Sequence, residues 1–568
     1  MNKKRIFINP QKRPKRHRIT HTHMNGPLEY FLHWEKEVPH ETFLRQPFGN
    51  TWKARTWKEA GNEIRRVAGH LESLHLPAHS HIAILSKNCA EWIMADLAIM
   101  MAGHVSVPLY ATLSASGIQY VLGHSDSKAI IIGKLDDYSA QQPGIPPHLH
   151  KIGIAAYGSR EAITWESIVA NQAPIAEVAP IKPEDLLTII YTSGTTGQSK
   201  GVMHAMGSFD ATIKKAHKEI GFPERTRLFS YLPLSHIAER LGIEFMGLYR
   251  GMEFSFPESL EAFPKNLADT QPGYFFAVPR IWAKFQEKVL EKMPQKKLDL
   301  YFSMPLIATI VKRIIRKKLG LARARLFFSG AAPLSVNTLE WYQKLGITIY
   351  QVYGMTEDCV YAHFNRKGAN RFGTVGKPIE GLQVKIAEGG EICVKHDYLM
   401  LGYYKDPEKT AGMFDGEGYL KTGDTGEIDN EGYLTIIGRV KDQFKTDKGK
   451  YISPTPIELG LSQNTDIEQV CVVGMGVPQP MALTVLSAHG KAKPKETLID
   501  GLVETVGRIN KQLEPHEQVE KMVIMKGDWT MENEMLTPSM KLRRNAIEKT
   551  HQHNYPRWYA TEGKVVWE

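Results

Sequence analysis

A chain of 568 residues with 42% hydrophobic and 23% charged residues has the composition of a globular protein long enough for more than one core. Its formal net charge is +10, and its four cysteines, Cys89, Cys359, Cys393 and Cys471, form no C-x-x-C pair. That spacing argues against a disulfide framework or a zinc site and fits a reducing cytosol, and no run of roughly 18 apolar residues offers a transmembrane helix.

The charge is uneven from the start. Lys3, Lys4, Arg5, Lys12, Arg13, Lys15, Arg16 and Arg18 all precede the first acid, Glu29. With no apolar stretch behind them they do not make a secretory signal. Residues 1–26 are expected to be a basic disordered tail, a contact with a membrane surface, or sequence upstream of an alternative start at Met24. Without interleaved aromatics or a recognition fold, nucleic-acid binding by the tail is not expected.

Short apolar runs then alternate with helical patterns. His81–Leu85, Val105–Leu109 and Ala129–Ile132 predict strands, separated by a buried helix over Ala90–Met101 and another near 118–122. Further strands are expected at 229–232, 274–278, Leu326–Ser329 and 347–350. This βαβ rhythm predicts an α/β fold of parallel or mixed sheets covered by helices. The texture changes at Gly438-Arg439-Val440-Lys441-Asp442. The chain therefore divides into a large domain over 27–438, a hinge at 439–442 and a small α+β domain over 443–568.

From Pro305, the residues Leu306, Ile307, Ile310, Val311, Ile314, Ile315 and Leu319 recur at helical spacing, with Lys312, Arg313, Arg316, Lys317 and Lys318 between them. A basic amphipathic helix of this kind either packs its apolar face on the core or docks on an anionic membrane, where each basic residue contributes about 1 kcal/mol.

The most informative string is 191–201, Y-T-S-G-T-T-G-Q-S-K-G, directly after the apolar run Leu186-Leu187-Thr188-Ile189-Ile190. An apolar strand that ends in Thr192, Ser193, Gly194, Thr195, Thr196 and Gly197 suits a phosphate. Small residues let backbone N–H groups approach the oxygens, hydroxyls donate further bonds, and Lys200 adds a compact charge. It is not a Walker A loop: Gly194 and Gly197 stand too close, and Gly201 follows the lysine where Ser or Thr is required. That argues against a GTPase or motor ATPase.

The string resembles the signature of the adenylate-forming (AMP-binding) superfamily, and further segments match it in order. They are L-P-L-S-H-I-A-E-R at 232–240, S-G-A-A-P at 329–333, Y-Q-V-Y-G-M-T-E at 350–357, Y-L-K-T-G-D at 419–424, and L-T-P-S-M-K-L-R-R at 536–544. The last, with V-P-R-I-W at 278–282, is most similar to long-chain fatty acyl-CoA synthetases, the bubblegum type included. Met540 stands where the wider family has glycine, and Ser199 where it usually has proline.

The resemblance implies a role for each segment. His236 would shape access to the carboxylate end of an acyl pocket, and Gly330, Ala331 and Ala332 would leave a flat floor for adenine. Tyr353 would supply an aromatic face for that ring, with Gly354 beside it among the nucleotide-binding residues. Thr356 would meet the α-phosphate, and Glu357 would hold Mg2+ with Thr195. Asp424, in a glycine-flanked turn, would accept the ribose hydroxyls, joined by Arg439 and Lys441 from the hinge. Lys541 would neutralise charge during adenylation, with Lys448 and Lys450 as weaker candidates. Gly449 would line a pantetheine channel once a mobile small domain has swung about the hinge.

The implied enzyme is a cytoplasmic, ATP-, Mg2+- and CoA-dependent ligase for medium- or long-chain fatty acids, in which any peripheral contact with an anionic membrane falls to the 305–319 helix or the tail. A fatty acyl-AMP ligase loading a carrier protein, a luciferase-like oxygenase and a catalytically silent lipid-binding scaffold stay open as alternatives. Acyl chain length and oligomeric state have no local motif.

Overall fold

The computed structural model describes residues 25–192, 199–531, 533–537 and 541–568. It is a mixed α/β protein in which a large N-terminal part carries several sheets and the chain beyond 443 builds its own.

The sheet nearest the site has seven strands, in the spatial order Gly402–Tyr403, Lys200–Ala205, Leu186–Thr192, Val105–Leu109, His81–Leu85, Ala129–Ile132 and His150–Gly153. The strand His81–Leu85 pairs in parallel with both Val105–Leu109 and Ala129–Ile132. Strands buried on both faces read as continuous apolar runs, which is why these strands begin and end where the sequence predicts. Every residue of the Ala90–Met101 helix is buried, so its apolar residues pack all round.

A second sheet runs Tyr274–Ala277, Leu326–Ser329, Ile349–Tyr353, His363–Phe364, Lys377–Pro378, its first three strands parallel. Three expected boundaries shift: the strand expected at 229–232 is Arg227–Phe229, that at 274–278 is Tyr274–Ala277, and that at 347–350 is Ile349–Tyr353. The last correction matters, because it carries the strand forward to the residue expected to face adenine. A third sheet pairs Leu420–Ile428 with Leu434–Arg439 in antiparallel fashion. A single 3-10 turn, Val440–Asp442, follows at the expected hinge.

Beyond it, Ile467–Val473, Met481–Leu486, Lys521–Ile524 and Val565–Trp567 form a mixed sheet with apolar clusters of its own on both faces. This part leans on the larger one through Arg280 to Glu468 at 2.5 Å and Asn337 to Gln463 at 2.9 Å. Residues 1–24 of the expected tail lie outside the described residues. Gly26, assigned to that tail, belongs to the fold: it caps the Pro27–Glu37 helix and its N–H donates to Asp210 at 3.0 Å. Among the described residues, no helix is long and apolar enough to cross a membrane.

Candidate active site

The phosphate-type loop joins two antiparallel strands. Thr192 and Lys200 are partners across the Leu186–Thr192 and Lys200–Ala205 pair, so the lysine rides on the returning strand. The Tyr120 hydroxyl donates to the Ser199 carbonyl at 3.0 Å and fixes the loop's far end. Ser193, Gly194, Thr195, Thr196 and Gly197 lie outside the described residues.

Lys200 is next to the edge strand Gly402–Tyr403, which pairs with Val202 and Met203. Its Nζ lies over the Tyr403 ring, 4.7 Å from the centroid, and the same tyrosine donates from its hydroxyl to Glu357 Oε1 at 2.7 Å. Burial lowers the Lys200 ammonium, with Lys409 and Lys441 acting in the same sense and Glu357 and Asp406 opposing them. The loop lysine and the buried acid thus face one another through a tyrosine that the sequence reading missed.

Glu357 belongs to a short 3-10 turn, Thr356–Asp358, held by its neighbour. Asp358 Oδ1 accepts the N–H groups of Met355 at 2.8 Å and Val360 at 2.9 Å. Beyond the turn, Cys359 and Val360 take φ values of 57° and 68°. Left-handed backbone costs a β-branched valine more than most residues, and such strain gathers at functional sites. Gly354 is required here because an added Cβ would lie 2.2 Å from the Val360 carbonyl oxygen. Burial, with the neighbouring Glu357 and Asp424 charges, pushes the Asp358 carboxyl up to about 8.

Gly330 packs against the adjacent strand, where an added Cβ would meet Val352 Cγ2 at 2.7 Å, while Ala331 and Ala332 are exposed. Ala331 sits at φ 70°. One residue past Val352, the Tyr353 hydroxyl donates to Asp424 Oδ2 at 2.8 Å. Asp424 is not in a turn. It lies inside the Leu420–Ile428 strand opposite Arg439, because Gly423 absorbs a left-handed φ of 73° without ending the pairing. Arg439 Nε stands 3.0 Å from Asp424 Oδ1, the acid buried and the arginine half-exposed.

The C-terminal part adds Lys541. Its backbone is clasped by Thr537, whose hydroxyl accepts the Lys541 N–H at 3.0 Å and whose own N–H donates to the Lys541 carbonyl at 2.8 Å. Burial and the Arg439 charge lower its ammonium to about 8, against the pull of Asp424. His236 feels it in turn: burial first, then the Lys541 charge, hold that imidazole down near 3. His236 Nδ1 accepts the Ala238 N–H at 3.2 Å, which leaves the ring proton on Nε2. His236, named as a catalytic candidate, is therefore a neutral donor and no proton acceptor near pH 7.

Two further candidates lie at exposed positions. Lys441 is exposed, and its charge helps to lower the Lys200 ammonium. Gly449 occupies an exposed hairpin turn at φ 79°, where the nearest atom to an added Cβ is Lys445 Cε at 3.7 Å. Arg544, inside the matching C-terminal string, is a strut: it donates to the Val472 carbonyl at 2.6 Å and pairs with Glu458 at 2.5 Å. Among the described residues no group of His, Cys, Asp and Glu could hold a metal without other ligands.

Comparison with known proteins agrees with this architecture. The AMP-binding enzyme family matches residues 31–404, and the AMP-binding enzyme C-terminal domain matches 441–563. The chain is 28% identical to the long-chain-fatty-acid–CoA ligase FadD15 of Mycobacterium bovis, over 92% of this chain and 95% of that protein. It is also 28% identical to the long-chain-fatty-acid–CoA ligase ACSBG2 of Xenopus laevis, over 91% and 81%. Its fold is similar to that of the anthranilate CoA ligase AuaEII in complex with anthranoyl-AMP, with a TM-score of 0.75, 21% identity and coverage of 92% and 97%. The adenylation domain of a carboxylate reductase from Mycobacterium chelonae gives a TM-score of 0.79 at 19% identity, covering 94% and 91%.

Proposed function

The chain belongs to the AMP-binding enzyme family, and from that premise we propose that it activates a medium- or long-chain fatty acid with ATP and passes the acyl group to CoA. In the first half-reaction a carboxylate oxygen attacks the α-phosphorus of ATP. The bond to the bridging oxygen breaks, and pyrophosphate leaves with its electron pair. In the second, the CoA thiolate attacks the acyl carbon and AMP departs.

The observation that supports this reading is the convergence of Lys200 and Glu357 on Tyr403, beside the Tyr353–Asp424–Arg439 chain and Lys541. A phosphoryl-transfer transition state needs placed cations more than a base. Lys541 supplies charge where the α-phosphate develops it, and Lys200 does so toward the leaving pyrophosphate. Asp424, a buried carboxylate paired with Arg439, is shaped to accept two neighbouring ribose hydroxyls. His236 offers its Nε2 proton to an acyl carboxylate and takes none.

Mg2+, when bound, neutralises phosphate charge. Glu357 fits it, being one buried carboxylate steadied by Tyr403, and Mg2+ takes one or two carboxylates with substrate oxygens and water completing its shell. Thr195 would share it. A thioester acceptor is supported by the CoA ligases among the relatives. The four buried free cysteines support a cytoplasmic setting.

The test is pyrophosphate release by the purified chain across acids from acetate to oleate, with and without CoA. Release with medium and long acids, and CoA consumption to match, is expected. Release without CoA consumption would make it a carrier-loading enzyme, and no release with any acid would overturn the reading.

A further inference from the structure

The Pro305–Lys318 helix buries only Ala308, Val311 and Ile315 against the core. Its other apolar residues face outward: Leu306 is 84% exposed, Ile310 59% and Ile314 49%. Spaced by four, these form a single ridge. Ile307 and, on the preceding Gln295–Phe302 helix, Leu300 are exposed as well. A cluster of large apolar side chains left in water marks a docking surface.

The basic residues of this helix sort by face. Arg316 is turned inward, donating to the Ala324 carbonyl at 3.0 Å, and Lys312 lies over the Phe302 ring at 5.2 Å. Arg313, Lys317 and Lys318 are exposed, and no ion pair engages them among the described residues. Arg313 and Lys317 each follow an apolar ridge residue by three positions, so they flank the ridge. Over 295–318 the only acid is Asp299, against seven basic residues.

We propose that this ridge docks the protein on an anionic phospholipid surface, with Leu306, Ile310 and Ile314 entering the acyl boundary while Arg313, Lys317 and Lys318 meet lipid phosphates. Apolar side chains beside unpaired cations match what such an interface offers, an apolar interior under a negative surface. A second copy of the chain would bring the same positive charge against itself.

The experiment is cosedimentation of the full chain with phosphatidylcholine vesicles, with and without phosphatidylserine. Binding is expected only with the anionic lipid and is expected to weaken as salt rises. The Ile310→Glu/Ile314→Glu variant, and separately Arg313→Gln/Lys317→Gln/Lys318→Gln, should each lower the partition coefficient at least about tenfold. Both should retain an unchanged melting profile. The N-terminal tail is common to all three proteins, so a difference reports the helix. Binding that survives both variants, binding indifferent to phosphatidylserine, or a vesicle-free dimer that the Glu pair dissociates would overturn the proposal.

Discussion

The Tyr403 hydroxyl donates to the Glu357 carboxylate at 2.7 Å while its ring lies beneath the ammonium of Lys200. One side chain from an edge strand thus joins the cation on the loop hairpin to the acid on the 3-10 turn. Tyr403→Phe keeps the ring and removes only the hydrogen bond to a charged group. It should lower kcat/KM for ATP by about tenfold to a hundredfold, the equivalent of roughly 1.5–3 kcal/mol, with little change in melting temperature. An unchanged kcat/KM would mean that Glu357 needs no such support.

Lys541 belongs to the C-terminal part, and its charge is felt by His236 while those of Arg439 and Asp424 act on it. In the proposed reaction its charge would serve the phosphoryl-transfer step and would be unwanted when a thiol attacks the acyl carbon. Lys541→Ala should therefore lower adenylation by about a hundredfold or more, while thioester formation from preformed acyl-adenylate is largely kept. The check is to assay the two half-reactions separately. Equal loss in both would refute that division of labour.

The same lysine predicts a pH limb. Its ammonium, lowered to about 8 by burial and Arg439, is charged below that pH and neutral above it. Since kcat/KM reports the free enzyme, kcat/KM for ATP in the adenylation assay should fall as pH rises through about 8. Lys541→Arg keeps its charge throughout, so whatever its activity, the limb should move out of range. A limb that stays near 8 in the arginine variant belongs to another group.

How much of this was legible in the sequence depended on how each residue is held. Strands such as His81–Leu85 and Leu326–Ser329 are buried on both faces, so an uninterrupted apolar run announced them. Asp424 misled because its glycine neighbour reads as a turn, whereas Gly423 only lets a continuing strand bend. Tyr403 was silent for another reason. It lies on a two-residue strand whose meaning comes from pairing with Val202 and Met203, far away in the chain. No local pattern marks such a pairing. Nor could the string around Lys541 reveal that Arg544, three residues on, is buried as a strut.

The chain reversal after Glu357 gives a prediction about strain. Gly354 admits the Val360 carbonyl where a Cβ would stand at 2.2 Å, and Val360 is itself left-handed. Gly354→Ala should destabilise the protein by about 1–3 kcal/mol and lower adenylation further than the stability loss explains, because Glu357 moves with the turn. Val360→Gly removes the left-handed penalty and should raise the melting temperature. If both variants melt like wild type, the turn is not strained.

Asp358 closes that turn with one oxygen, while Oδ2 is buried and has no hydrogen-bond partner among the described residues. Held up to about 8 from an ordinary 3.8, the carboxyl stays protonated in the folded protein while the unfolded chain loses its proton from about pH 4 upward. Wild-type stability is then progressively lost, at this group, between those two values. Asp358→Asn preserves the shape and the acceptor and does not titrate. The variant's stability relative to wild type should therefore climb from about pH 4 to about pH 8, by an amount on the order of a few kcal/mol, and level off above. Urea midpoints for both proteins across that range decide it. A difference that is flat, or that falls with rising pH, would mean that Asp358 is ionised beside Glu357 and that the turn carries a second buried charge.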